Sequence, residues 1–215
     1  MARDLHGRGP SRARTYLCGD VAFCVLDGAL APFERTLCAS GSLALVRRER
    51  DALAGLRARK LSAEIEDAVG VAVTAHASEV VFDLDLTIEV VLLSGLTAPA
   101  PSLRTGPARA EIANAVARAA HEFWGKGPTR TTAFMEDEFV LCLLEEPLTE
   151  VERALRDGGE FELVRELRRE LCALARERVE DPIARVTGRR VLGSAMLVIA
   201  EPELCCLVFA LEGQV

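Results

Sequence analysis

Lysine is nearly missing from this chain. Lys60 and Lys126 are the only two, so arginine supplies almost all of the 26 basic side chains, set against 33 acidic ones. With a net charge of −7 and no basic half, the chain lacks the positive face that neutralising phosphates requires, which argues against nucleic-acid binding. Long apolar runs are missing too. None approaches the roughly 18 uncharged apolar residues of a membrane span, and the first residues are polar and arginine-rich, without the apolar core of a secretory signal. Histidine occurs as His6, His76 and His121 alone, with no metal-ligand spacing. So few histidines leave no Ser–His–Asp or Cys–His arrangement to read. The seven cysteines are odd in number, form no C-x-x-C pair and mostly sit in apolar runs, where a free thiol packs as a small hydrophobe. These absences point to no metal, no cofactor, no catalytic residues and no enzyme. The remaining composition, half apolar and 27% charged, is that of a soluble, globular, intracellular protein expected in the cytoplasm.

What is present is a repeat. Gly7-Arg8-Gly9-Pro10 returns as Gly125-Lys126-Gly127-Pro128, 118 residues later, and the two copies then stay in register without a gap. Arg12 meets Arg130, Cys24 meets Cys142, Glu34-Arg35 meets Glu152-Arg153, Ile65 meets Ile183 and Gly70 meets Gly188. Identity at one fixed period over such a length is hard to reach by chance, and two long copies make a duplicated domain rather than a solenoid. The domains are expected at residues 1–95 and 108–215. Between them, residues 96–107 carry Pro99, Pro101 and Pro107 among small residues and form a linker.

Each copy reads as β-β-α-α-β-β. In the first, Arg12 to Cys18 and Val21 to Leu26 form a hairpin around Gly19-Asp20, with Asp137 at the position of Gly19 in the second copy. A short helix over Pro32 to Ala39 and a long one over Ser42 to Val69 follow, then strands Val71 to Val80 and Leu86 to Leu93. Leu45, Leu53, Leu56, Leu61, Ile65 and Val69 give the long helix an apolar stripe, and Gly70 fits its C′ position. The second copy is preceded by an extra helix, Ala108 to Trp124. Its Thr149-Glu150-Val151-Glu152 reads as a capping box, and Phe161, Val164, Leu167, Leu171 and Leu174 mark the stripe of its long helix, which Pro182 is expected to kink or restart. The expected fold is therefore α+β. It comprises two tandem ββααββ repeats with antiparallel sheets, packed as a pseudo-twofold dimer, and the chain is a monomer with internal pseudo-symmetry or a homodimer.

Together four stretches resemble the MpsC-like family: His121-Glu122-Phe123-Trp124-Gly125-Lys126-Gly127-Pro128, Leu148-Thr149-Glu150-Val151-Glu152-Arg153, Leu163-Val164-Arg165-Glu166-Leu167-Arg168-Arg169 and Thr187-Gly188-Arg189-Arg190-Val191. That family is named after the soluble component of a bacterial sodium-translocating, membrane-potential-generating system that has also been linked to inorganic carbon uptake. The resemblance covers essentially all of copy two and, more weakly, copy one from Gly7 to Leu93. It implies a soluble, non-enzymatic accessory or regulatory protein that acts through a protein partner, a membrane transport complex among the candidates, without inserting into the membrane. Two departures stand out. Between its last two strands the family carries a polar S-D-x-H-I-D-P-D type segment. Copy one keeps Ser78, Glu79, Asp83 and Asp85 there with Val81 at the histidine position, and copy two has none of the Ser, Asp or His. Copy one also has only Met1 to His6 where the family's first helix would stand.

One candidate ligand site remains. The glycine loops could hold a small anion or metabolite between the repeats on Arg8, Arg12, Lys126 and Arg130. Against that, the loop of the second copy follows a helix C-terminus, the wrong dipole end for an anion, and the Walker A spacing is missing. Arg12 and Arg130 are expected instead to pair with Glu34 and Glu152. Asp83, Asp85 and Glu89 alternate along the chain and are expected to form a solvated acidic edge.

Overall fold

Strands β1 (Arg12–Cys18) and β2 (Val21–Asp27) form the expected first hairpin. It turns at Gly19, whose φ of +69° is a left-handed value that favours glycine. The structure is a computed structural model describing residues 9–95, 106–136 and 138–213; Arg8, Asp137 and residues 96–105 of the linker expected over 96–107 lie outside those residues. The chain divides into two compact units, Met1–Ser102 and Leu103–Val215.

In the first unit the hairpin leads to α1 (Pro32–Ala39), α2 (Leu43–Val69), β3 (Val73–Val81), a 3-10 turn at Phe82–Leu84, and β4 (Leu86–Leu93). The second unit opens with α3 (Pro107–Trp124) and continues through β5 (Arg130–Glu136), β6 (Phe139–Glu145), α4 (Glu150–Asp157), α5 (Phe161–Thr187), β7 (Val191–Ile199) and β8 (Leu204–Leu211). Each unit holds one antiparallel four-stranded sheet, ordered β1-β2-β4-β3 in the first and β5-β6-β8-β7 in the second. The two halves are alike, as tandem repeats of an α+β unit should be.

The interior strands β4 and β8 are buried along their whole length. One face carries Phe23, Val25, Ile88 and Val90 in the first unit and Leu141, Leu143, Cys206 and Val208 in the second, all buried. Burial pushes the Cys206 thiol up to about 12. The other face meets the helices, and it is here that the two units differ.

Two sequence expectations about the long helices need correction. Leu45, Leu56 and Val69 of α2 are exposed, as are Leu167 and Leu174 of α5. The sheet-facing stripe of α5 is Val164, Arg168, Ala175, Val179 and Ile183, and in α2 the buried residues are Val46, Arg50 and Arg57. Counting leucines selected the wrong residues because the buried positions include Arg50 and Arg57 in α2 and Arg168 and Ala175 in α5, which hydrophobicity alone passes over. Nor does α5 restart at Pro182; it runs unbroken from Phe161 to Thr187, held on either side of the proline by buried Val179 and Ile183.

Candidate functional site

The short helix of each unit begins with a device that reaches into the core. Thr149 Oγ1 accepts the Glu152 N–H at 3.3 Å while the Glu152 carboxylate accepts the Thr149 N–H at 2.7 Å, the reciprocal bonds of the expected capping box. The same carboxylate receives Arg168 of α5 through Nε and through Nη2, the latter at 2.5 Å. Arg168 also donates to the Pro147 carbonyl at 2.8 Å. In the first unit, Glu34 accepts the Ala31 N–H at 2.5 Å and Arg50 Nε at 2.5 Å, and Arg50 donates to the Ala29 carbonyl at 3.0 Å and to Thr87 Oγ1 at 3.1 Å. Buried charges persist only when paired and hydrogen-bonded, and these forked pairs satisfy that condition. Burial acts to raise the Glu152 carboxyl, but the hydrogen bonds from Arg168 and Thr149 and the Arg168 charge outweigh it, leaving the group below its ordinary range.

A second repeated device ties the last hairpin to the first. Asp85 accepts the Leu30 N–H at 2.8 Å and pairs with Arg35, and Glu203 accepts the Leu148 N–H at 2.9 Å and pairs with Arg153. Backbone bonds from Gly28 to Asp85 and from Glu146 to Glu203 complete the brace.

These placements overturn two expectations. Glu34 and Glu152 pair with Arg50 and Arg168 because both carboxylates point inward beneath the sheet, whereas Arg12 and Arg130 are exposed at the starts of edge strands. Arg130 instead lies 3.6 Å from Glu145 in an exposed pair. The signal was in the repeat register: Arg50 and Arg168 are separated by the same 118 residues as Glu34 and Glu152. Nor do Asp83, Asp85 and Glu89 form a solvated edge. Asp85 is spent on the brace, and Glu89 is buried against His76.

Of the candidate anion-binding residues, Lys126 donates its ammonium to the Leu148 carbonyl at 2.9 Å, within the second unit. Arg130 belongs to the same unit and Arg12 to the first; Arg8 lies outside the described residues.

Across the helix-facing side, direct cross-strand neighbours in the first unit are Thr15, Cys24, Glu89 and Ser78. The corresponding row in the second is Ala133, Cys142, Leu207 and Met196. The first row is polar. Thr15 Oγ1 donates to Cys24 Sγ at 3.2 Å, and His76 Nε2 lies 2.6 Å from Glu89 Oε2. Burial, with the nearby Glu89 charge, holds the Cys24 thiol above its ordinary value, although the Thr15 hydrogen bond opposes this. Above the row, burial first and the Arg50 charge second hold Arg57 below its ordinary value. A cleft lined by Arg47, Arg50, Arg57, Ser78 and Glu79 encloses about 20 Å³, room for a water molecule and too little for a metabolite. Arg47 spends its charge on Glu79 at 2.6 Å. Among the described residues no cluster of His, Cys, Asp and Glu has the makings of a metal site.

The family model of the Na+-translocating membrane potential-generating system component MpsC matches the chain twice, over residues 1–95 and 105–212. The chain belongs to the MpsC family. No curated protein and no solved structure matches it significantly. The MpsC motifs now have a physical role. The segment Leu148 to Arg153 supplies the cap, the inward carboxylate of Glu152 and the Arg153 of the brace, while Leu163 to Arg169 supplies the Arg168 that meets Glu152. Among the described residues, no helix of this MpsC protein is long and apolar enough to cross a membrane.

Proposed function

We propose that this chain is a cytoplasmic accessory component of a sodium-translocating membrane system, acting through protein contacts and catalysing no reaction of its own. The observation that carries this is an apolar surface repeated in both units. Leu45 and Leu163 hold equivalent positions and are both exposed, and Leu56 and Leu174 are 55% and 77% exposed. Phe33 and Val151, on the short helices, repeat the pattern. Isolated exposed leucines need no explanation, but the same ones at the same positions of two copies favour a contact surface. The family supplies the kind of partner, the membrane subunits of the transport system.

The test is capture of the tagged chain from gently solubilised membranes of its own host, alongside a Leu56→Arg/Leu174→Arg variant. Recovery of ion-transport membrane subunits with the wild type and their loss with the variant, at unchanged helix content, supports the proposal. Equal recovery with both overturns it. A small anion near Lys126 and Arg130 is the competing function; there, bicarbonate or phosphate would raise the melting temperature. The commitment of Lys126 to the Leu148 carbonyl weighs against that alternative.

A further inference from the structure

In the second unit, α3 lies on α5 and on the first strand pair. Its Ile112, Val116 and Ala119 belong to one buried cluster with Ala133, Cys142, Leu144, Val179 and Ile183. The equivalent floor of the first unit is open. Thr15 is exposed where Ala133 is buried, Cys24 and Leu26 are half-buried where Cys142 and Leu144 are buried, and Leu61 and Ile65 are half-buried where Val179 and Ile183 are buried. Leu17, on the same face, is 46% exposed. The strands and the long helix that form the floor are the same in both units; among the described residues only the second unit carries a helix on that face.

We infer that this face of the first unit is a seat for one amphipathic helix of a partner protein, about as long as α3, which occupies the same seat in the sister unit. The walls and floor state its chemistry. Leu17, Leu26, Leu61 and Ile65 ask for small and branched apolar residues at helical spacing, as in α3. Thr15 and Cys24, where α3 meets Ala133 and Cys142, ask for a residue able to hydrogen-bond at the centre of that apolar face. The inference shares with the proposed function only the premise of a protein partner, and its test uses a defined helix, so either can fail alone.

The probe is a synthetic peptide of residues 107–124, titrated into the full chain while alkylation of Cys24 is followed by mass spectrometry. Saturating peptide is expected to slow Cys24 alkylation by about tenfold, since the thiol becomes reachable only when the helix leaves. Leu61→Glu in the full chain is expected to abolish the protection. A second measurement places residues 107–124 directly ahead of Gly7, in the register that α3 has with Gly125. Cys24 should then be protected without added peptide. If Cys24 reacts at the unprotected rate in both experiments, or if Leu61→Glu leaves protection intact, the seat does not exist. Concentration-dependent protection of Cys24 in the unmodified chain, with dimer formation, would make the guest a second copy's helix and overturn the partner assignment.

Discussion

The guanidinium of Arg168 lies 4.0 Å from the centre of the Trp124 ring while its other side grips Glu152. Its Nη1 has no hydrogen-bond partner. In the first unit Thr87 supplies the acceptor at the equivalent point, and the second has Cys205 there. The indole face of Trp124 takes over part of that task, as a cation–π contact can in a dry site. Because Trp124 is the only tryptophan, its fluorescence reports on this pair and on the second unit alone.

Removing one partner should therefore be visible by that signal. Glu152→Gln and Arg168→Met each leave a buried group uncompensated and are expected to cost about 3–5 kcal/mol, whereas the double replacement should cost less than the two together. Urea titration read at Trp124 measures this. Additive losses would mean that the two side chains do not act as a pair.

Acid should release the same contacts. Glu152 is held below its ordinary value of 4.5, and Glu203 likewise: burial pushes Glu203 up, but its bonds from Arg153 and Leu148 pull it further down. A carboxyl depressed in the folded state binds fewer protons there than when unfolded. Its contribution is therefore fully present above pH 4.5 and lost as pH falls through the lower folded value. Unfolding midpoints followed at Trp124 should be flat above pH 5 in respect of these groups and drop below about 4.5. Glu203→Gln should make the drop smaller, and an unchanged drop in that variant would remove Glu203 from the acid response.

The brace gives a separate handle. Glu203→Ala removes the acceptor of the Leu148 N–H, and a backbone donor left without a partner costs about 1–3 kcal/mol. Glu203→Gln keeps an acceptor and should lose less. Denaturant midpoints of the two variants decide it. Equal losses would assign the stabilisation to the carboxylate charge and its arginines rather than to the backbone bond.

Much of this was legible in the sequence because it rests on local rules. The hairpins followed from alternation, α4 from the Thr149–Glu152 box, and the end of the first long helix from Gly70, which has a left-handed φ. The buried faces of α2 and α5 were missed because Arg50, Arg57 and Arg168 point inward, which only their carboxylate and aromatic partners make tolerable. Those partners come from distant parts of the chain. Likewise the His76–Glu89 pair joins neighbouring strands 13 residues apart, and nothing in the local pattern of either strand announces it.

Pro182 is the clearest place where the sequence costs stability that a substitution can restore. Within an unbroken helix from Phe161 to Thr187, a proline removes the donor to the Arg178 carbonyl and crowds that oxygen with its ring. The equivalent residue in the first unit is Glu64, in an equally long helix of 27 residues, so the fold itself does not need a proline there. Pro182→Ala restores the bond, at the loss of some stiffening of the unfolded chain worth up to about 1 kcal/mol. The net expectation is a gain of about 1–2 kcal/mol in the second unit, measured as a higher urea midpoint at Trp124. A lower midpoint would mean that the packing of Val179 and Ile183 against the sheet depends on the local bend a proline imposes.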